Sequence, residues 1–282
     1  TGQWLLSVLT SKLAANAISD AGLDVSAAKK ANKAIAAALA VWMVLAAALP
    51  PDRFRDADVI FLDVGQGDCL HVRTPAGKNI LIDSGGSAAK QAADPADAFD
   101  IGRDVLRPYL LKNGADHIDM AFVTHLHDDH FQGLCSLSQT MRIEEVYLYE
   151  GNRERISEIR DKLRIQSDSL RFINAGMRIE IEPGVSLSVL FPDDGRTSAG
   201  LDDENAINMV MLLDYCGRSI LITGDLTVND EKRLLGTGSI GKADILKIAH
   251  HGSRYSSSEP FIDAVDPDYA VIQVGRNNFG HP

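Results

Sequence analysis

The sequence predicts an α/β fold in which two mixed sheets are flanked by helices. Three observations predict it. From Asp58 onward, short β-branched runs separated by turn residues are interspersed with segments of helical character, an order that suits mixed sheets covered by helices. The composition, 45% apolar and 24% charged over 282 residues, is that of an ordinary globular chain, long enough for one large domain with an appendage or for two modest domains. Finally, metal-ligating residue types stand just after three separate apolar runs, at the ends of three predicted strands.

Residues 1–54 differ in texture from the rest and read as a membrane or juxtamembrane segment. Ala34 to Leu49, "AIAAALAVWMVLAAAL", carries no charge; Lys29, Lys30 and Lys33 precede it and Pro50-Pro51 close it. As a helix it spans roughly 24 Å at about 1.5 Å per residue, against about 30 Å for a bilayer core. Snorkelling of Lys33 and bilayer thinning allow it to span; an Ala-rich buried helix is the competing reading. If it spans, the lysines lie on the cytoplasmic side and everything after Pro51 lies outside. The absence of a start methionine before Thr1, and the stop at "NNFGHP", suggest a piece cut from a longer protein.

Beyond the linker a domain over 56–282 is expected. "VIFLDV", "CLHVRT" and "ILIDSG" read as three strands of a meander joined by "GQGD" and "PAGKN". Ile101 to Asn113 reads as a helix stopped by Gly114. "MAFVTH" is the next strand, followed by strands at "EVYLY", "SLSVLF", "NMVMLLDY", "SILITGD", "DILKIA" and "YAVIQVG". Helices are expected at 152–165, 228–235 and 258–264. No internal repeat is evident.

Charge and cysteine content narrow the function classes. The formal net charge of -11 argues against a broadly basic nucleic-acid surface, although bound divalent metals would add positive charge locally. Cys69, Cys135 and Cys216 show no short-range spacing, so neither a disulfide framework nor a zinc ribbon is indicated.

The chemistry concentrates in "VTHLHDDHFQGL", residues 123–134, where three of the eight histidines fall between 125 and 130. In this H-x-H-x-D-H pattern a loop leaving a strand can aim His125 and His127 at one ion, while Asp129 and His130 reach a second beside it. Imidazole and carboxylate together suit zinc, iron or manganese rather than calcium. Asp225 of "LITGD" follows another apolar run, where a carboxylate can bridge two ions, and His250 and His251 of "ILKIAHHGS" end a third. Together these favour a two-metal centre. His71 and His117 read as structural. "DVGQGD" reads as a hairpin turn with Asp68 bonding backbone, or alternatively as a lining of the site's mouth.

H-x-H-x-D-H, then T-G-D, then a strand-end histidine, preceded by "LIDSG", is the motif order of the metallo-β-lactamase fold, a four-layer αβ/βα sandwich. "FLDVGQGDCL", "ILIDSGG", "HHGS" and "NNFGHP" further resemble the metallo-β-lactamase domain of ComEC-type competence proteins, membrane proteins of DNA uptake; the likeness runs over about residues 56–282. The resemblance implies His125 and His127 on metal one, Asp129 and His130 on metal two, Asp225 between them, and one of His250 and His251 completing metal two, with a lean to His251. The other histidine, taken as His250, would face the substrate and join Asp129 and Asp225 as catalytic. Asp83 would orient ligands from beneath the metal loop, with Asp68 in a similar supporting place, and Ser253 and His281 would lie on the substrate side.

One departure bears on metal one. Many superfamily members place a third histidine between the H-x-H-x-D-H motif and the Gly-Asp, but no histidine occurs from Phe131 to Ala249. Asn208 is expected to fill that place directly or through a water.

Two divalent ions about 3.5–4 Å apart lower the pKa of a water between them and clamp both oxygens of a displacement, so the expected activity is metal-dependent hydrolysis with two zinc or manganese ions. The ComEC-like context implies a phosphodiester: single-stranded DNA, cut outside the cell beside the membrane channel of the same longer protein. Alternatives are an extracytoplasmic phosphodiesterase of the phosphorylcholine esterase type, and a non-catalytic domain that binds or gates DNA. A nuclease groove should carry basic and aromatic side chains; Arg254, Tyr255, Arg276 and Phe279 are the candidates.

Overall fold

The structure is a computed structural model and describes residues 30, 33–41, 58–86, 99–198, 204–276 and 282. The chain divides into two units, Thr1–Arg55 and Asp56–Pro282. In the first, residues 33–41 are helical and Ile35, Leu39 and Val41 are exposed. Among the described residues no helix is long and apolar enough to cross a membrane; residues 42–49 of the expected apolar helix lie outside them.

The second unit holds two six-stranded mixed sheets. The first orders β1 (Asp58–Phe61), β2 (Leu70–Arg73), β3 (Asn79–Ile82), β4 (His117–Phe122), β5 (Arg142–Tyr149) and β6 (Leu170–Ile173) side by side. Its first three strands pair antiparallel and β3 through β6 pair parallel. The second runs β12 (Tyr269–Val271), β11 (Ile245–Lys247), β10 (Arg218–Ile222), β9 (Val210–Tyr215), β8 (Val185–Phe191) and β7 (Arg178–Glu182). There β7 to β10 pair antiparallel and β10 to β12 parallel.

Strand periodicity places the core in three layers. In β3, Ile80 and Ile82 face the opposite sheet while Leu81 faces the helices. In β10, Ile220 and Ile222 face inward and Leu221 outward. Both faces are apolar because both are covered, as parallel strands require. Helices α1 (Arg107–Lys112), α2 (Asp128–Leu137) and α3 (Ile156–Leu163) cover the first sheet through Leu110, Leu134 and Ile159. Helices α4 (Val228–Gly236) and α5 (Glu259–Val265) cover the second through Leu234 and Phe261. The result is the expected αβ/βα sandwich.

Several expected elements differ in detail. The helix foreseen at Ile101 to Asn113 begins as a wide π-type turn, Gly102–Leu106, before α1. Pro108 has no N–H to give the Asp104 carbonyl, so the ladder changes pitch there. The helix foreseen at 152–165 opens with a 3-10 segment, Glu150–Arg155. Two strands were not foreseen: β6, "LRFI", is very short, and β7, "RIEIE", is a charged edge strand. Nor was α2, which starts inside the H-x-H-x-D-H run, with His127 as its extended N-cap.

Candidate metal centre

β4 stops at Phe122 and α2 starts at Asp128, so His125 and His127 leave on the connecting loop while Asp129 and His130 lie in the first helical turn. The turn after β10 carries Asp225, and the segment after β11 carries His250 and His251. Parallel pairing of β10 with β11 puts these last two groups at one end of the second sheet. Met209 N–H donates to the Thr124 carbonyl at 2.9 Å and seats the first sheet's metal loop beside it.

Among the described residues four groups of side chains could hold an ion; two of them match the expected ligand sets and lie on either side of Asp225, and the other two (Asp68, Asp83 and His130; Asp68, Asp225 and His251) bring in Asp68. His125, His127 and Asp225 have ligand atoms within 4.8 Å of one another, and so do Asp129, His130 and His251. Asp225 offers one oxygen to each group. Its Oδ2 is 3.9 Å from His125 Nε2, and its Oδ1 is 3.2 Å from His130 Nε2 and 3.6 Å from His251 Nε2. His251 Nε2 also lies 3.2 Å from Asp129 Oδ2, and His125 Nε2 lies 3.0 Å from His127 Nδ1.

The inner ring atoms are held from behind. The Asp83 carboxylate accepts from the Thr124 N–H and hydroxyl, both at 2.7 Å, and lies 2.9 Å from His130 Nδ1. This leaves His130 Nε2 to face Asp225, and it fits the ligand-orienting role expected of Asp83. Asp83 has φ 55°, a left-handed conformation that non-glycine residues adopt at a cost. His251 Nδ1 is 3.0 Å from the Gln273 carbonyl oxygen. Gln273 in turn bonds the backbone of Leu62 and Cys69, fastening the end of β12 to the GQGD loop.

The donor set fits divalent metal ions. His130 Nε2 and Asp225 Oδ1 are buried and without a hydrogen-bond partner, although such groups are nearly always satisfied. Electrostatics point the same way. Burial opposes charge throughout the centre, yet His130 is driven well above the usual imidazole range by Asp225 and Asp83. Burial likewise opposes charge on His251, but hydrogen bonds to Asp129 and Asp68 push it up to about 9. Burial, with the His130 charge next, drives His125 well below that range, so it is a neutral donor. The buried carboxylates demand positive charge at the places a cation would occupy.

The remaining expected residues divide. His250 stands outside the ligand groups found among the described residues; its side chain is 29% exposed, with Nε2 3.7 Å from Asp225 Oδ2. Asn208 does not point at metal one as expected. Its Oδ1 accepts from Asp225 N–H at 2.9 Å and its Nδ2 donates to the Thr223 carbonyl at 2.8 Å, so the amide braces the turn that carries Asp225. A Cβ on Gly224 would lie 2.1 Å from that Oδ1, which is why the turn needs glycine. The Ser253 hydroxyl accepts from Tyr255 N–H at 3.3 Å, inside its own turn. Asp68 is not a plain hairpin residue, since its carboxylate is buried beside Lys247 and His251. His281 and Phe279 lie outside the described residues. Arg254 lies over the ring of Tyr255, itself 71% exposed.

Residues 62–276 match the profile of the Metallo-beta-lactamase superfamily. ComE operon protein 3 of Bacillus subtilis (strain 168) is 28% identical over 237 residues, 80% of this chain and 30% of that protein. Competence protein ComA of Neisseria gonorrhoeae is 29% identical over 231 residues, 80% of this chain and 28% of that protein. The chain spans under a third of the length of either relative. The ComEC-type resemblance read from the motifs accords with both. Among solved structures, a mutant of CmlA beta-hydroxylase is similar with TM-score 0.52 at 16% identity, covering 77% of this chain and 46% of that one; this likeness concerns the fold alone.

Proposed function

The chain belongs to the metallo-β-lactamase superfamily, and from that premise we propose that it is a two-metal phosphodiester hydrolase, a nuclease acting on single-stranded DNA during uptake. His125, His127 and Asp225 would hold one divalent ion; Asp129, His130, His251 and Asp225 would hold the other. The observation that carries this reading is the shared Asp225, with one oxygen toward each ligand group. Mixed imidazole and carboxylate ligands suit zinc or manganese. When bound, such ions would lower the pKa of a water and neutralise charge developing on the oxygens of the displacement.

The chain's own residues supply the remaining functions. Asp83 and Gln273 fix which nitrogen of His130 and of His251 faces inward. Partly exposed His250, with Nε2 3.7 Å from Asp225 Oδ2, is placed to act on the leaving oxygen as a general acid. The stacked Arg254 and exposed Tyr255, a few residues beyond His251, give a base and a phosphate something to rest on.

The competence relatives support DNA as the substrate. The reading also puts a membrane anchor at residues 34–49 and the domain on the extracytoplasmic side, which the flanking lysines and the exposed Ile35, Leu39 and Val41 support, and a channel in the same longer protein, which the competence relatives support. The test is cleavage of single-stranded DNA by the purified chain with zinc or manganese, beside a small phosphodiester such as a phosphorylcholine ester. Cleavage of the small ester alone would keep the chemistry and remove DNA as substrate. A protein that binds two ions but cleaves neither would leave a DNA-binding or gating role.

A further inference from the structure

Among the described buried charges that the metal reading leaves without a role, Lys247 lies nearest the centre's carboxylates, against Asp68. In β11, Ile245 packs among the residues between the sheets and Leu246 packs toward the helices. Lys247, two residues after Ile245, shares its inward face and is 2% exposed at the strand's end. A lysine so placed requires a partner. It has two: the Asp68 carboxylate, and the Gly224 carbonyl, to which Nζ donates at 3.1 Å.

Each partner leads to the metal centre. Gly224 precedes Asp225, and its carbonyl also accepts the His250 N–H at 2.9 Å. Asp68, on the first sheet's GQGD loop, gives its N–H to the Asp129 carbonyl at 3.1 Å and accepts from Gly85 N–H at 2.7 Å. Its Oδ1 lies 3.3 Å from His251 Nδ1, the nitrogen that also faces the Gln273 carbonyl. With Nδ1 engaged on that side, Nε2 is the nitrogen left to face Asp129 and Asp225. A close approach keeps the loop in place: a Cβ on Gly67 would lie 2.2 Å from the Asp129 carbonyl oxygen.

We propose that Asp68 and Lys247 are positioning residues for the second ion: the carboxylate joins the Gln273 carbonyl in setting which nitrogen of His251 faces inward, and the ammonium fixes the Gly224–Asp225 turn. This rests on the two-metal reading of the site. An ion pair that only stabilised the fold could be replaced by uncharged groups without effect on metal affinity. A positioning pair cannot.

The test is calorimetric titration of the metal-stripped full chain with zinc and with manganese, for the parent, Asp68→Asn, Lys247→Met and the Asp68→Asn/Lys247→Met double variant. Asp68→Asn should weaken the second ion's step about 10–100-fold and spare the first. Lys247→Met leaves a buried carboxylate unpaired and should lower the thermal midpoint. The double variant should recover the midpoint but not the affinity. Recovery of both would make the pair structural only and overturn the inference. A parent that binds no ion overturns the two-metal reading, whereas a parent with two ions and unchanged variants overturns this inference alone. One measurement does not depend on any variant folding. In the parent loaded with NMR-active cadmium, coupling should run to His251 Nε2 with the proton on Nδ1. Coupling to Nδ1 would overturn the proposal whatever the variants do.

Discussion

His127 and His130 stand three residues apart, yet they meet different surroundings. His130 is fully buried, with Asp83 behind its Nδ1 and Asp225 before its Nε2. His127 is partly exposed, ends the connecting loop, and shares its group with His125 and Asp225 alone. The same contrast runs through the centre. Around Asp129, His130 and His251, second-layer groups from both sheets set ring orientation. Around His125 and His127, the place where a third ligand was expected is taken by an amide that braces backbone. Orientation set in advance removes part of the ordering cost of binding, so the second group should bind its ion more tightly than the first.

The largest effect should come from the residue common to both groups. Asp225→Ala should remove both ions and depress hydrolysis by at least about a thousandfold, roughly 4 kcal/mol in barrier. Elemental analysis of the purified variant beside a cleavage assay reads both. Two ions retained with parental activity would break the comparison at its root, because no carboxylate would then be shared.

His71 sharpens the contrast from outside. It is as buried as His130 but pairs with the Tyr109 hydroxyl, 3.0 Å from its Nδ1, and belongs to no ligand group among the described residues. Burial lowers its pKa to about 4, against about 6.5 in the unfolded chain. A depressed histidine contributes stability that is present above pH 6.5 and lost as pH falls toward 4, because the unfolded chain takes up the proton first. The loss amounts to roughly 3 kcal/mol at pH 4. Urea unfolding of metal-stripped parent and His71→Asn between pH 7 and 4.5 should show a flatter profile for the variant; parallel profiles would refute the assignment.

Next come single ligands from each side. In a two-step metal titration His251→Ala should weaken the tighter step, and His127→Ala only the weaker one, each by at least about 100-fold, or about 2.8 kcal/mol. The reverse pattern would invert the ranking of the two groups.

The smallest effect should come from Asp128, next to a ligand that should not be dispensable. Asp129 lies 3.2 Å from His251, whereas Asp128 is exposed and outside the ligand groups. Asp129→Ala should abolish cleavage while sparing the fold. Asp128→Ala should keep at least about a tenth of the activity, a change of no more than about 1.4 kcal/mol. Equal loss in both would mean that the helix start, not the ligand, is what the substitutions disturb.

Much of this was legible because it is local. Short apolar, β-branched runs mark β3, β5, β8 and β10, and three histidines between 125 and 130 mark the candidate metal loop without any partner in view. What was missed depended on context. The α2 start was hidden inside the ligand motif. The edge strand β7 is charged enough to read as loop. Lys247 drew no notice because a lysine at a strand's end is usually solvated, and only its place on the Ile245 face signals burial.

Side-chain chemistry and spacing along the chain were enough to mark most strands and helices of the domain, the ligand types and a candidate centre at strand ends, since these depend on neighbours a few residues away. The packing of two sheets decided the rest. It turned His251 rather than His250 toward Asp129 and His130, and turned the Asn208 amide onto the Asp225 turn. It also brought Asp68 and Lys247, far apart in sequence, into one buried pair. Those choices depend on distances between residues on different strands, and such distances exist only once both apolar faces are buried against each other.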